Sequence, residues 1–380
     1  MTAEDLPEAD RAEGVPHPRH TAELFGQQAA EAAFLQSLRQ GRLHHAWLLT
    51  GPRGIGKATL AWHIARYLLA GDGAEGTGPG LFGDAPTAPS LAVEPDHPVS
   101  RRVAALTDPG LLLIRRPWNP ETKRLTQQIP VDEVRRLNGF FRLSATEGGR
   151  RVVIVDSADE MNRAAANAIL KVLEEPPKNA VLLLVSHQPA RLLPTIRSRC
   201  REIRLAPLAP EGLSAALAQA GVETDDSKAL HALSDGSAGT AARLAATGGV
   251  ALYRQLLGLL GTCPALDRAG AAALAARAAA GRDDETLALF VQLLMRALSR
   301  LAIAGTGHAP GTGLIDAERP VFARLAPDPA TARLWADLQQ DLSQRLGHGI
   351  SVNIDPQSLL NDAFFRIELL ARSLPAGLPA

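Results

Sequence analysis

A short apolar strand that runs straight into a glycine loop and then a helix constrains this chain more than anything else in it. Residues 45–50 read His45-Ala46-Trp47-Leu48-Leu49-Thr50, and Gly51-Pro52-Arg53-Gly54-Ile55-Gly56-Lys57 follows without a break. Helical spacing then continues through Leu69. The seven loop positions fit the start of the phosphate-binding loop. Its glycines let backbone N–H groups turn inward around phosphate oxygens. The helix N-terminus adds partial positive charge, and Lys57 reaches the terminal phosphates. A glycine-lysine string between a strand and a helix therefore predicts a nucleotide-binding α/β domain rather than a chance turn.

The next position departs from the pattern. The loop calls for Ser or Thr, whose hydroxyl holds Mg²⁺, and this chain has Ala58. Thr59 does not replace it, because one residue along a helix rotates a side chain by about 100°. Two readings stay open: a loop still used for ATP, or a nucleotide site that binds weakly or is vestigial.

Further strands are expected at 111–114, 151–156, 181–185 and 202–205. Arg151-Val152-Val153-Ile154-Val155-Asp156 is apolar on both faces, as a parallel sheet requires. Helices are expected at 21–40, 131–141 and 161–175, the last stopped by Pro176-Pro177 because proline removes a donor and clashes with the preceding turn. Strands alternating with helices imply a parallel sheet covered on both sides. Residues 71–110 read as a Gly/Pro-rich insertion. Residues 1–20 mix charge and proline without periodicity and read as a disordered tail. After Pro207 no strand-like run follows; short helices are expected at 210–221 and 227–233, then Ala/Leu-rich helices from about 250. The expected division is a tail (1–20), an α/β domain (21–206), a small helical lid (207–247) and a larger helical domain (248–380).

The string Asn167-Ala168-Ile169-Leu170-Lys171-Val172-Leu173-Glu174-Glu175-Pro176-Pro177, followed by Ser198-Arg199-Cys200, resembles the clamp-loader subunits of bacterial DNA polymerase III, and most of all their delta-prime branch. Leu24-Phe25-Gly26-Gln27, His45-Ala46 and Leu192-Leu193-Pro194-Thr195-Ile196 belong to the same pattern, and the match covers about residues 20–245. The resemblance implies a P-loop domain of the AAA+ class, a lid, and a C-terminal helical collar for oligomerisation. It also implies gamma/tau and delta subunits as partners, with the sliding clamp and primer-template DNA reached through the complex. In such rings a neighbour inserts an arginine toward the γ-phosphate, and Arg199 stands at that position. A fixed guanidinium there is worth about 10³–10⁵ in rate in known trans cases. Ser198, Cys200, Asn167 and Lys171 are carried over as interface residues. Cys200 by itself reads as a small buried residue, not a nucleophile.

Several departures from the family point one way. Asp156 ends its strand where it could hold Mg²⁺, but hydrolysing relatives follow it with a Glu that polarises the attacking water. Here Ser157 follows, and a hydroxyl cannot be that base at neutral pH. Glu160 reads as a first-turn acid of the next helix. Gly236-Ser237-Ala238-Gly239-Thr240 resembles the second-sensor segment, yet no arginine occurs until Arg243. Many relatives carry a four-cysteine zinc module; residues 71–110 hold no cysteine, and His97 alone cannot keep a zinc. The cofactor expectation is therefore weak ATP/Mg²⁺ binding at most, and no zinc.

Composition closes off other classes. Forty basic residues balance forty acidic ones, so no bulk field drives the chain onto DNA. Aromatics at 4% argue against a stacking platform for bases. The two cysteines exclude a disulfide scaffold. The acidic start is unlike a signal peptide, and no run of 18 apolar residues occurs, so a cytoplasmic protein without membrane contact is expected. Two functions compete: a non-hydrolysing loader subunit lending Arg199, and an ATP-hydrolysing AAA+ motor, either the loader's gamma/tau-like ATPase or a branch-migration helicase.

Overall fold

The computed structural model describes residues 7–11, 15–71, 90–142, 149–224, 226–280, 284–308 and 315–374. The chain divides into two compact units. The first comprises residues 1–223 with 236–242, the second 224–235 with 243–380. The segment expected as one lid is thus shared between them.

The first unit is built on a five-stranded parallel sheet. Its strands are β1 (Ala46–Thr50), β2 (Leu111–Ile114), β5 (Arg151–Val155), β6 (Ala180–Ser186) and β7 (Arg201–Arg204), in the order β2-β5-β6-β1-β7. A two-stranded antiparallel ribbon, β3 (Trp118–Asn119) with β4 (Arg124–Leu125), stands apart from the sheet. Every residue of β1, β5 and β6 is buried, because helices cover both faces. Trp47, Leu49, Val152, Ile154, Leu183 and Val185 face one core, shared with α1 (Gln28–Arg39), α2 (Lys57–Ala70) and α3 (Pro98–Ala104). Their strand neighbours Leu48, Val153, Val155, Leu182 and Leu184 face the other, shared with α4 (Val131–Arg142) and α5 (Arg163–Glu174). This is the parallel-sheet P-loop class expected, with period-2 alternation dividing each strand between two cores.

Three expectations change. The helix expected over 21–40 starts only at Gln28, because Gly26 takes a left-handed φ of 69° and presses on Leu208. Within the expected insertion 71–110, residues 72–89 lie outside the described residues, but Pro98–Ala104 is a helix. His97 caps it by accepting from the Val99 N–H, and Pro98 opens its first turn. The tail expected to be disordered is anchored where it is described. Asp10 and His17 pair at 3.0 Å with nearly unexposed side chains, and Arg115 meets both Glu8 and Asp10. Composition read the tail's own charges but not the counter-charge waiting at the end of β2.

The sheet unit continues through the short α6 (Pro194–Arg197) and α7 (Pro210–Gln219). Among its described residues the second unit has helices as its only regular elements: α8 (Ser227–Ser234), then α10 (Gly249–Leu260), α11 (Arg268–Ala279), α12 (Asp284–Gly305), α13 (Glu318–Leu325), α14 (Pro329–Ser351) and α15 (Pro356–Ser373). Between them α9 (Ala238–Ala246) carries the boundary at 242/243. Residues 286–305 of α12 are long and apolar enough to cross a membrane by length and composition. Leu289, Phe290, Leu293, Leu294, Leu298 and Leu301 are nevertheless buried in the unit. Arg300 is buried with them in a two-pronged pair with Glu318, at 2.6 and 2.8 Å, that also accepts the Tyr253 hydroxyl. A buried charge is tolerated only when paired in this way, so α12 is a core helix.

Candidate nucleotide pocket and arginine face

The loop after β1 has the backbone its glycines imply. Gly51, Gly54 and Gly56 hold φ of 138°, 76° and 100°, where L side chains are strained. A Cβ on Gly51 would sit 2.7 Å from the Leu205 carbonyl oxygen, so the loop lies against the exit of β7. Gln27 ties these pieces together, donating to the carbonyls of Ile55 and Ala206 at 3.1 and 2.7 Å.

Lys57 is buried and bent back on its own loop. Its Nζ donates to the Gly51 carbonyl at 2.7 Å and to that of Pro52. Burial pulls its ammonium down to about 8, against the opposing charges of Asp156 and Asp159. Asp156 lies at the end of β5, also buried, and its N–H donates to Ile114 at 2.9 Å. Burial, with the charge of Asp10, pushes its carboxyl up to about 7. Both buried groups are thus shifted toward their uncharged forms.

The departures from the motif are visible as contacts. Ala58 offers no hydroxyl, and Arg53 and Ile55 stand in the loop as expected, Ile55 buried. Ser157, with φ of 59°, lies 3.2 Å from His187 Nε2. Burial lowers His187 to about 4, so at neutral pH it is an uncharged imidazole. Glu160 is not in the first turn of α5, which Asn162 caps instead. It ends a 3₁₀ turn and pairs with Arg53 at 3.0 Å and Arg116 at 2.7 Å.

The segment from Gly236 to Thr240 closes over the loop. Ser237 Oγ donates to the Arg53 carbonyl at 2.8 Å, and the Gly239 N–H donates to that of Gly54 at 2.9 Å. A Cβ on Gly54 would meet Ser237 Oγ at 2.4 Å, so the approach needs glycine. A hydroxyl and an amide thus sit on the loop where the family pattern calls for an arginine, and Arg243 bonds Gln292 instead.

Sequence reasoning passed over Ser186 and His187. Ser186 pairs in register with Thr50, immediately before the loop, and its fully buried Oγ has no hydrogen-bond partner. The available signal was a polar residue closing an otherwise apolar buried strand. Among the described residues no cluster of three or more His, Cys, Asp or Glu could hold a metal ion.

The second set of predicted residues forms an exposed face instead. Asn167, Lys171 and Glu174 fall at i, i+4 and i+7 on α5 and are exposed. Arg199 joins them: its Nη2 pairs with Glu174 Oε1 at 2.8 Å, and its Nη1 donates to the Thr195 carbonyl at 3.0 Å. Ser198 is exposed and donates its hydroxyl to the same carbonyl at 3.2 Å. Cys200 packs against the core below, and burial pushes its thiol up to about 12, which leaves no thiolate for chemistry. The next residue, Arg201, stacks over Trp47 and bonds Ser37, an arginine used within the fold.

Residues 26–209 match the family model described as DNA polymerase III, delta subunit. The subunit delta′ of DNA polymerase III from Pseudomonas aeruginosa is 41% identical over 203 residues, 53% of this chain and 55% of that protein. The gamma/tau subunit from Mycobacterium tuberculosis is 33% identical over 213 residues, 55% of this chain and 33% of that protein. The delta′ subunit of Bacillus subtilis is 28% identical, covering 46% of its length. The match therefore spans about half or less of these curated relatives. Among solved structures, a DNA polymerase III gamma subunit-related protein from Thermotoga maritima is 18% identical with a TM-score of 0.38, covering 89% of this chain and all of that one. The RuvB Holliday junction branch migration motor of the same organism is 16% identical with a TM-score of 0.37, covering 84% and 91%.

Proposed function

We propose that this chain, which over residues 26–209 matches the DNA polymerase III delta-subunit family model, acts as a delta-prime-type clamp-loader subunit that does not hydrolyse ATP. In this reading it sits in a ring with gamma/tau and delta subunits. It presents Arg199 to the ATP bound by its neighbour, and so helps load the sliding clamp onto primer-template DNA. Residues 21–206 supply the P-loop domain, the segment 207–247, which the two compact units share, acts as the lid, and 248–380 supply the oligomerisation collar. Replication places it in the cytoplasm. With 40 basic against 40 acidic residues, DNA is reached through the complex rather than by bulk charge.

One observation carries the reading: the pocket is blunted while the arginine is presented. Ala58 and Ser157 stand where a metal ligand and a water-polarising carboxylate are needed, and Lys57 is spent on loop carbonyls. Arg199 is part-exposed and anchored, as a group acting on another subunit's phosphate must be. A guanidinium already in place stabilises charge on a transferring phosphoryl group without reorganising at the moment of reaction.

The competing reading, an ATP-hydrolysing motor, draws on Lys57 and Asp156, both of which lie at the pocket. Turnover separates the two. The purified chain is expected to show no ATPase above background, and robust turnover by the chain alone would transfer the assignment to the motor. In a reconstituted loader, Arg199→Ala is expected to cut DNA-stimulated ATPase while the complex still assembles; an unchanged rate removes Arg199 from its role.

A further inference from the structure

We propose that Glu174 is the positioning residue for Arg199, setting the guanidinium in the orientation in which it meets the neighbouring subunit's phosphate. This rests on the role given to Arg199 above and goes beyond it by naming what holds the side chain.

The argument begins with where Glu174 sits. It is the last residue of α5, immediately followed by Glu175 and the Pro176-Pro177 stop. Carboxylates are disfavoured at a helix C-terminus, where unsatisfied carbonyls already carry partial negative charge. Glu174 therefore works against the stability of its own helix. Nor does its partner repay this in fold stability, since the pair is half-exposed, with side chains 36% and 50% accessible, and such pairs contribute little. What the pair does is geometric.

Arg199 has a long, flexible side chain on a part-exposed turn. Its backbone is fixed, with the N–H donating to Ile196 at 3.1 Å. Its tip is fixed by two acceptors from different elements. Thr195 in α6 takes a hydrogen of Nη1 at 3.0 Å, and Glu174 in α5 takes Nη2 at 2.8 Å. Two anchors define the plane of the fork, while Nε and one hydrogen on each terminal nitrogen stay uncommitted. A guanidinium held in this way has less side-chain freedom to lose when phosphate arrives. Thr195 acts through its backbone, so only Glu174 can be altered by substitution.

The test uses the reconstituted loader, purified by size exclusion, with ATPase followed at saturating primed DNA and clamp. Glu174→Ala is expected to lower kcat about tenfold, with KM for ATP changed less than about twofold. Glu174→Gln, which keeps an acceptor oxygen, is expected to retain at least about half the wild-type kcat. The double variant Glu174→Ala/Arg199→Ala is expected to be no slower than Arg199→Ala alone, because a positioning residue has nothing left to position. Wild-type kcat in Glu174→Ala, an additive double variant, or a Glu174→Ala complex that fails to assemble would each overturn the positioning role. A wild-type rate in Arg199→Ala would instead overturn the reading beneath it.

Discussion

Lys57 and Arg199 are both cations that the sequence aims at phosphate, and the chain treats them in opposite ways. Lys57 is buried at 2% exposure, folded onto the carbonyls of Gly51 and Pro52, and its ammonium is pulled down to about 8 by desolvation. Arg199 stands at a surface it shares with Asn167, Lys171 and Glu174, and its contacts steady it without covering it. The pocket has closed on its own chain, with Ser237 and Gly239 on the loop and Glu160 committed to two arginines. The arginine face has kept its chemistry available. A motif's presence therefore says less than whether its polar groups are already satisfied within the chain.

The sharpest way to break that comparison is to delete each cation in turn. In a reconstituted loader, Arg199→Ala is expected to lower DNA-stimulated turnover at the site it serves by about 10³-fold, the low side of what an arginine acting in trans is worth. Lys57→Ala is expected to leave the same rate within about twofold. Equal losses from the two would mean that the pocket is a working site and the contrast is false.

Asp156 sharpens the account of the pocket through pH. Burial raises its folded value to about 7, well above an ordinary carboxyl. Between about pH 4 and 7 the folded chain therefore keeps a proton that the unfolded chain has released, so this group's contribution to stability falls as pH rises through that window. Above 7 the penalty is fully present. Lys57 has the opposite sign and a different window: its folded value of about 8 lies below the unfolded one, so its contribution rises with pH from about 8 to 10.5. Asp156→Asn is expected to raise stability at pH 8 by about 2 kcal/mol, or roughly 5 °C in Tm, and to leave it unchanged near pH 4. Thermal melts at the two pH values decide it, and a gain larger in acid would contradict the burial argument.

Much of the fold was legible because its signals are local. Strands buried on both faces read as unbroken apolar runs, and the loop between β1 and α2 needs its glycines by backbone geometry alone. What escaped depended on partners distant in sequence. The tail's acids looked unpaired until Arg115, about a hundred residues on, was placed beside them. Glu160 looked like a helix-opening acid until folding set Arg53 and Arg116 against it. The α3 helix was hidden by the Gly/Pro-rich stretch before it, although His97-Pro98 was a readable start. For the site, spacing put Asn167 and Lys171 on one helix face, but nothing local brought Glu174 and Arg199 together beside them. That link needed the sheet to bring the turn before β7 beside the end of α5.

Restoring the missing hydroxyl probes whether the pocket is closed or merely unfurnished. Ala58→Thr supplies the group that holds Mg²⁺ in working loops. If the remaining cradle is competent, Mg²⁺-dependent affinity for a fluorescent ATP analogue rises about fivefold, roughly 1 kcal/mol, and EDTA abolishes the gain. A gain that survives EDTA would rule out the metal as its cause. No gain would show that the contacts of Ser237 and Gly239, rather than the absent hydroxyl, keep nucleotide out.

The smallest expected effect lies on the open face. Lys171 is exposed on α5, three residues before Glu174 and four after Asn167. An exposed lysine that meets a neighbour contributes through screened charge, and such pairs are worth up to about 1 kcal/mol. Lys171→Ala is expected to weaken binding to the neighbouring loader subunit by about threefold at 0.1 M salt, measured by titration calorimetry. The difference should vanish near 1 M, where screening reaches only about 3 Å. A loss that persists in high salt would instead mean that the lysine's aliphatic stem packs at the boundary. No loss at low salt would confine the working face to Arg199 and the carboxylate that holds it.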